Sequence, residues 1–329
     1  MSKKEIDKKS SSVHGVVIFK AKKVNQSTTV KKPPVEKVDQ EEKIIVFINM
    51  KPFSGNYIYS IQLYNQSLAP ISDLKIEVTF PDFLILTRSF PPTISTTDSI
   101  SKEDLKQISI NFDKLDERSK KQIELHFTPI SLDNSGEIQT FFTFINAKDL
   151  VKTLNSDSVK IIIDKIKIEP KIIPSSFIRE FSQMPEIKKA IKSLGIGVKK
   201  KINTDMFFDI LEQIFFIHNL QLISKDDDQK IIWFFGNELE SNEDILVIGQ
   251  IVSKKVEIIV LSQNHDVLIS YLTMVLNDFK DRILLDGIIK SKKDVYELEC
   301  KHCGNILPDF PKRGKSIECK SCSYEQIIW

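Results

Sequence analysis

All four cysteines of this chain fall in its last thirty residues, as Cys300-x2-Cys303 and Cys319-x2-Cys322, with 15 residues between the pairs. Two residues between the members of a pair let one tight turn aim both sulfurs at a single ion. Four thiolates complete a tetrahedron of ~2.3 Å bonds around Zn²⁺ and leave no open position for water. The spacing therefore predicts one zinc ion held by Cys300, Cys303, Cys319 and Cys322, structural rather than catalytic. Gly304 follows the first pair, where a knuckle needs a positive φ, and Ser323 takes the matching place after the second. His302 lies between two ligands and is expected to point away from the ion. The competing readings are two disulfides or a redox pair. A reducing compartment disfavours structural disulfides, and a redox Cys-x2-Cys has no use for a second pair at this distance.

Strand-like segments must carry these knuckles: VYELEC (295–300), SIEC (316–319) and YEQIIW (324–329). Residues 291–329 are thus expected to form a zinc ribbon, too small to fold without its metal. Many ribbons bind nucleic acid. Residues 296–329 here carry five basic and five acidic groups, so little affinity would come from counterion release. The whole chain, with 47 basic and 45 acidic residues, is not a general nucleic-acid binder either. A fold-stabilising or protein-docking ribbon is the preferred expectation.

The remaining segments divide by pattern. From Met1 to Val38 ten lysines face three acids with few large apolar residues, which predicts a disordered basic tail over 1–42. Its functional reading is a contact with an anionic membrane surface. Residues 43–170 alternate with a period of two, as in DLKIEVTF (73–80), where Leu74, Ile76, Val78 and Phe80 oppose Lys75, Glu77 and Thr79. Seven or eight such strands, separated by Pro- and Gly-containing turns, predict an immunoglobulin-like antiparallel β-sandwich. Residues 171–290 predict a small α+β platform. Helical spacing runs over 177–195 and 204–219, four strands follow, and a helix over 266–279 closes the unit. The expected fold class is mainly β with α+β: sandwich, platform, ribbon.

No Walker, Gly-x-Ser-x-Gly or His-Glu-x-x-His motif occurs, and ten glycines in 329 residues argue against a scaffold of phosphate-cradling loops. His126, His218 and His265 are scattered and read as structural, and Asp226–Asp228 as a solvated turn. The chain is read as not an enzyme. Two features suggest partners instead. Lys188, Lys189, Lys192, Lys199, Lys200 and Lys201 form a basic cluster with no intervening acid, suited to an anionic partner. Trp233 and Phe235 in KIIWFFG are the candidate anchors for a docked peptide, against the plainer reading of core packing. No run of 18 apolar residues is present, and the N-terminal segment lacks the apolar core of a secretory leader. A cytoplasmic protein, peripheral to membranes at most, is expected.

The order of modules resembles the appendage, or ear, of clathrin-adaptor and coatomer large subunits, and most nearly that of the coatomer gamma subunit. The residues that carry the likeness are INTDMFFDILEQIFFIHNLQLIS (202–224), DILVIGQIV (244–252), KVEIIVLSQN (255–264) and the helix ending in LNDF (276–279). The likeness covers about 43–280. It implies a non-enzymatic module of membrane trafficking that recruits partners through short linear peptides, at an aromatic site for which Trp233 and Phe235 are the nearest candidates. The ribbon is foreign to that family, and no helical trunk precedes the sandwich. A zinc-ribbon factor associated with nucleic acid is the alternative.

Overall fold

The computed structural model describes residues 43–92, 105–198, 204–253 and 255–329. The expected basic tail and Lys199, Lys200 and Lys201 lie outside the described residues.

The sandwich forms as its alternation dictates. One sheet has the order β1 (Ile44–Phe53), β2 (Asn56–Asn65), β6 (Lys120–Pro129), β4 (Leu84–Phe90). The other has the order β5 (Leu105–Leu115), β3 (Ile71–Pro81), β7 (Asn134–Ile145), β8 (Val151–Asn155), with β9 (Val159–Ile163) also paired to β7. All neighbours are antiparallel. In β3 the residues Leu74, Ile76, Val78 and Phe80 are buried, as the period of two requires. The β2–β6 register sets Tyr57 opposite Phe127 and Ile61 opposite Ile123, so both strands send the same alternate positions inward.

The platform is built on one larger sheet, in the order β10 (Ile168–Pro170), β13 (Ile231–Glu238), β14 (Glu243–Val252), β15 (Lys255–Ser262), β11 (Lys188–Ile196), β16 (Val295–Glu297), with β12 (Gln221–Asp226) also on β13. Seven strands replace the four expected. The helical expectation over 177–195 is corrected: α1 (Phe177–Gln183) stops ahead of Pro185, and the lysine-rich remainder is β11. The apolar spacing that read as one helix joins two elements. Within β11 the period is two, with Ala190, Lys192 and Leu194 on one face.

Both faces of this sheet are covered. α2 (Thr204–Ile217) and α3 (His265–Leu285) pack on one face against Phe234, Val247, Ile258 and Val260. α1 packs on the other against Phe235, Leu246, Ile259 and Leu261. The expected single helical layer is therefore incomplete, and double coverage explains why every residue of β15 is buried. Ile217, expected in the buried set of α2, is 71% exposed at the helix end. α3 joins the two large units. Leu268, Leu272 and Val275 sit in the platform core while Ile269 sits in the sandwich core. The Tyr57 hydroxyl of β2 donates to Asp266 Oδ1 of α3 at 2.9 Å.

Candidate metal centre and the clasp around it

The last 35 residues after β11's partner strand fold around the cysteines. A small apolar cluster of Leu298, Leu307, Phe310, Ile317 and Ile328 surrounds Cys300 and Cys319, and β17 (Ser316–Glu318) pairs with β18 (Glu325–Ile327). Two knuckles of the same design present the thiols. In the first, Gly304 N–H donates to Cys300 O at 2.8 Å and Cys300 N–H to Asn305 O at 2.8 Å. In the second, Ser323 N–H donates to Cys319 O at 2.9 Å and Cys319 N–H to Tyr324 O at 3.0 Å. Gly304 and Ser323 both take the positive φ the turn requires, 76° and 55°.

The four sulfurs lie within 4.8 Å of one another. Cys300 Sγ is 3.7 Å from Cys322 Sγ, and Cys303 Sγ is 3.5 Å from Cys319 Sγ. A tetrahedron of ~2.3 Å metal–sulfur bonds has edges of about 3.8 Å. A disulfide would need ~2.05 Å. The donor set thus fits one thiophilic ion with all four positions taken by protein. The nearest contacts prepare it: although burial pushes the Cys303 thiol up, Asn305 N–H and the neighbouring thiols bring it down to about 7. His302 stacks on Tyr324, ring centroids 5.5 Å apart, outside the thiol cluster.

The ribbon does not hang free. β16 is the edge strand of the platform sheet, with Leu194 opposite Glu297 and Ile196 opposite Val295. Beyond it Leu298 N–H donates to Ser193 O at 2.8 Å, and Lys255 Nζ donates to Leu307 O at 3.1 Å. Tyr296, Phe310 and Trp329 form an aromatic group with centroids 5.0 to 6.0 Å apart, and Phe310 lies so close over Gly195 that no side chain fits there. Trp329 Nε1–H donates to Pro311 O at 2.7 Å.

Lys192 is the centre of the clasp. Its ammonium, on a side chain 1% exposed, donates to Glu299 Oε1 at 2.8 Å, Glu297 Oε2 at 3.1 Å and Asn56 Oδ1 at 3.2 Å. One residue of the platform thus holds two carboxylates of the ribbon approach and the hairpin turn of the sandwich. Burial alone would lower its pKa, but the two carboxylates outweigh it and keep Lys192 charged. Burial pushes Glu297 the other way, yet Lys192 and then Lys280 hold its carboxyl below the usual range.

Lys192 therefore leaves the predicted anionic-partner cluster, its charge being spent inside. Lys188 and Lys189 are exposed at the start of β11 and remain a short basic patch. Phe235, predicted as a docking anchor, has no exposed surface. It is stacked against Phe181 and Phe177 of the α1 layer, with centroids 5.2 and 6.2 Å away. Trp233, two residues earlier on the same face, is partly exposed. Sequence reasoning missed Arg88, Asn56, Glu297 and Glu299. The last two, at i and i+2 on a strand, were legible as a same-face acidic pair, but nothing local marks their partner 105 residues away. No helix among the described residues is long and apolar enough to cross a membrane.

No protein-family model matches the chain, and no curated protein does. Solved structures that resemble parts of it are a GH20 exo-β-N-acetylglucosaminidase from Vibrio harveyi in complex with N-acetylglucosamine (8% identity, TM-score 0.25, 66% of this chain and 39% of that one), a DUF4466 family protein from Parabacteroides merdae (9%, 0.25, 66% and 98%) and BcpA, the major pilin subunit of Bacillus cereus (10%, 0.24, 65% and 65%). The chain spans well under half of the glycosidase. Likeness at these TM-scores carries neither a fold assignment nor a function, so what the chain does rests on its own residues.

Proposed function

We propose that this chain is a non-enzymatic recruiting scaffold of the cytoplasm. Its sandwich and platform are braced by a zinc ribbon, and it gathers protein partners through short linear peptides, as its resemblance to coat appendages implies. The ion is Zn²⁺, since four thiolates at tetrahedral spacing suit it and leave no position for a reacting water. The observation that carries the reading is Lys192. A buried ammonium shared by platform, ribbon approach and sandwich turn gives three units one fixed arrangement, which serves a presenting surface. The half-exposed Trp233 on the α1 side of the platform is the docking anchor. Two coupled measurements test this. Elemental analysis of the purified chain should give one zinc per molecule. Selection of a short-peptide library on the full-length protein should enrich a common motif whose binding weakens on Trp233→Ala. A library that yields no motif, together with nucleic-acid binding that falls steeply with salt, would refute the scaffold and favour the nucleic-acid factor.

A further inference from the structure

A cleft separates the sandwich from the first knuckle. It has two adjoining lobes of about 260 and 250 Å³ that share Thr87, Arg88 and Lys301. Four successive residues of β4, Leu86 to Ser89, line one lobe. Successive side chains of a strand point to opposite faces, so a cavity touched by four in a row runs along the strand's edge. That edge is open: β4 pairs with β6 on one side and with no strand on the other, among the described residues. Lys106 Nζ covers only the Leu84 end, where it donates to Asp82 O and Leu84 O.

The charge in the cleft is unbalanced. Arg88 Nη2 lies 3.0 Å from both ring nitrogens of His126, but Nη1 is buried without any hydrogen-bond partner. His126 offers no compensating charge, being held neutral to about pH 4 by burial and by Arg88 itself. Neither Arg88 nor Lys301 forms an ion pair among the described residues. Glu297 and Glu299 line the far lobe with their charge already taken by Lys192. A guanidinium with stranded N–H groups is a fork built for a carboxylate. Ile85 and Phe90, 42% and 56% exposed, offer apolar contact at the two ends of the same strand.

We propose that this cleft binds an extended acidic peptide, which adds as a strand to the open edge of β4 and places a carboxylate between Arg88 and Lys301. The inference rests on the recruiting-scaffold reading and specifies a second docking point away from Trp233. Main-chain bonds to the edge would supply affinity, and the Arg88 fork the choice of an acidic side chain.

The test uses the full-length, zinc-loaded protein and a fluorescent hexapeptide of alternating valine and glutamate, followed by anisotropy. Its counterpart carries glutamine for glutamate, and a third peptide is N-methylated along one edge. The glutamate peptide should bind about tenfold more tightly than the glutamine one, the loss expected for one charge-assisted fork. Arg88→Ala should remove that difference, Arg88→Lys restore part of it, and N-methylation abolish binding. Lys301→Ala, a change on the exposed rim, should weaken the glutamate peptide several-fold with an unchanged melting curve, which covers the case in which Arg88→Ala fails to fold. Equal binding of the two peptides, or undiminished binding of the N-methylated one, would overturn the proposal. Loss of the label to millimolar inorganic phosphate alongside intact binding of the N-methylated peptide would show a site for free anions and overturn it as well. If library peptides directed at Trp233 bind while these do not, this inference fails alone. If neither set binds, the scaffold reading fails with it.

Discussion

Replacing Lys192 by methionine keeps the volume of the clasp and removes its charge. The size of the effect can be worked from the surroundings. The lysine side chain is 1% exposed, while those of Glu297 and Glu299 keep 28% and 20%. Removing one partner of a buried pair costs about 3–5 kcal/mol, because the other charge stays buried and unpaired. Here water reaches both carboxylates, and Lys280 stands 3.9 Å from Glu297, so the lower end, about 3 kcal/mol, is expected. In a unit of 150–250 residues that lowers Tm by roughly 6–12 °C. Urea unfolding followed by the fluorescence of Trp233 and Trp329 reads it on both the platform and ribbon sides. A cycle with Lys192→Met, Glu299→Gln and the pair should give a coupling of about 1.5–3 kcal/mol, the range for a hydrogen bond to a charged group. Adding Glu297→Gln to that pair should recover much of the loss, since no uncompensated carboxylate remains. A coupling below about 0.5 kcal/mol would mean that the ammonium is a bystander, and the argument for a fixed three-part arrangement would fall with it.

Chelation of the metal, or Cys319→Ser with Cys322→Ser, should unfold the ribbon and expose the β11 edge. Loss of hydrogen-exchange protection at Leu298 and along Lys188–Ile196 would register this, and full retention of that protection would contradict a structural ion. Gly304→Ala adds a β-carbon where Arg88 lies and at a φ of 76° that alanine resists; a loss of about 1–3 kcal/mol is expected, read by thermal melting. Phe235→Ala should cost about 3–5 kcal/mol as a core cavity, whereas Trp233→Ala should lower peptide binding with little effect on the melt. The folded-state pKa of His126 falls from 6.5 to about 4 through burial and then Arg88. Its contribution to stability is therefore complete above pH 6.5 and is lost as the pH falls toward 4. His126→Gln should flatten the pH–stability curve in that window, and an unaltered curve would exclude His126 as its source.

What the sequence made legible follows from where the determining interactions lie. The knuckles are local: four donors, two intervening residues and a positive-φ position sit within 25 residues, so their outcome needed nothing from the rest of the chain. The sandwich strands were equally readable, because a sheet with one wet face writes its burial as alternation, as Leu74, Ile76, Val78 and Phe80 do. β11 was misread because its signal is not its own. Lys192 looks like a solvated residue on any local scale, and only Glu297 and Glu299, more than a hundred residues later, make it an interior one. Phe235 was misjudged for a related reason. A strand covered on both faces loses the alternation that tells inward from outward, and KIIWFFG reads the same whether or not α1 packs on its second face.

The same feature that hid Lys192 bears on how acid should act on the molecule. Burial raises the Glu297 carboxyl, but Lys192 and Lys280 bring it below its usual 4.5. A depressed acid contributes its stability in full above the unfolded value and loses it as the pH falls through the folded one. Lys192, held above 10.5, acts in the opposite sense: its share is complete below that pH and is lost only in strong alkali. Between these limits the clasp keeps its full strength. Below about pH 4.5 it weakens as Glu297 protonates, in the range where thiolate ligands also take up protons and release a metal. The two events can be separated. In Glu297→Gln the clasp's acid limb should vanish while metal release, followed by a zinc-sensitive dye, keeps its midpoint. If the substitution instead shifts the release midpoint upward, ribbon and clasp stabilise each other, and β16, which links Glu297 to the platform edge and leads directly into Cys300, is the element that couples them.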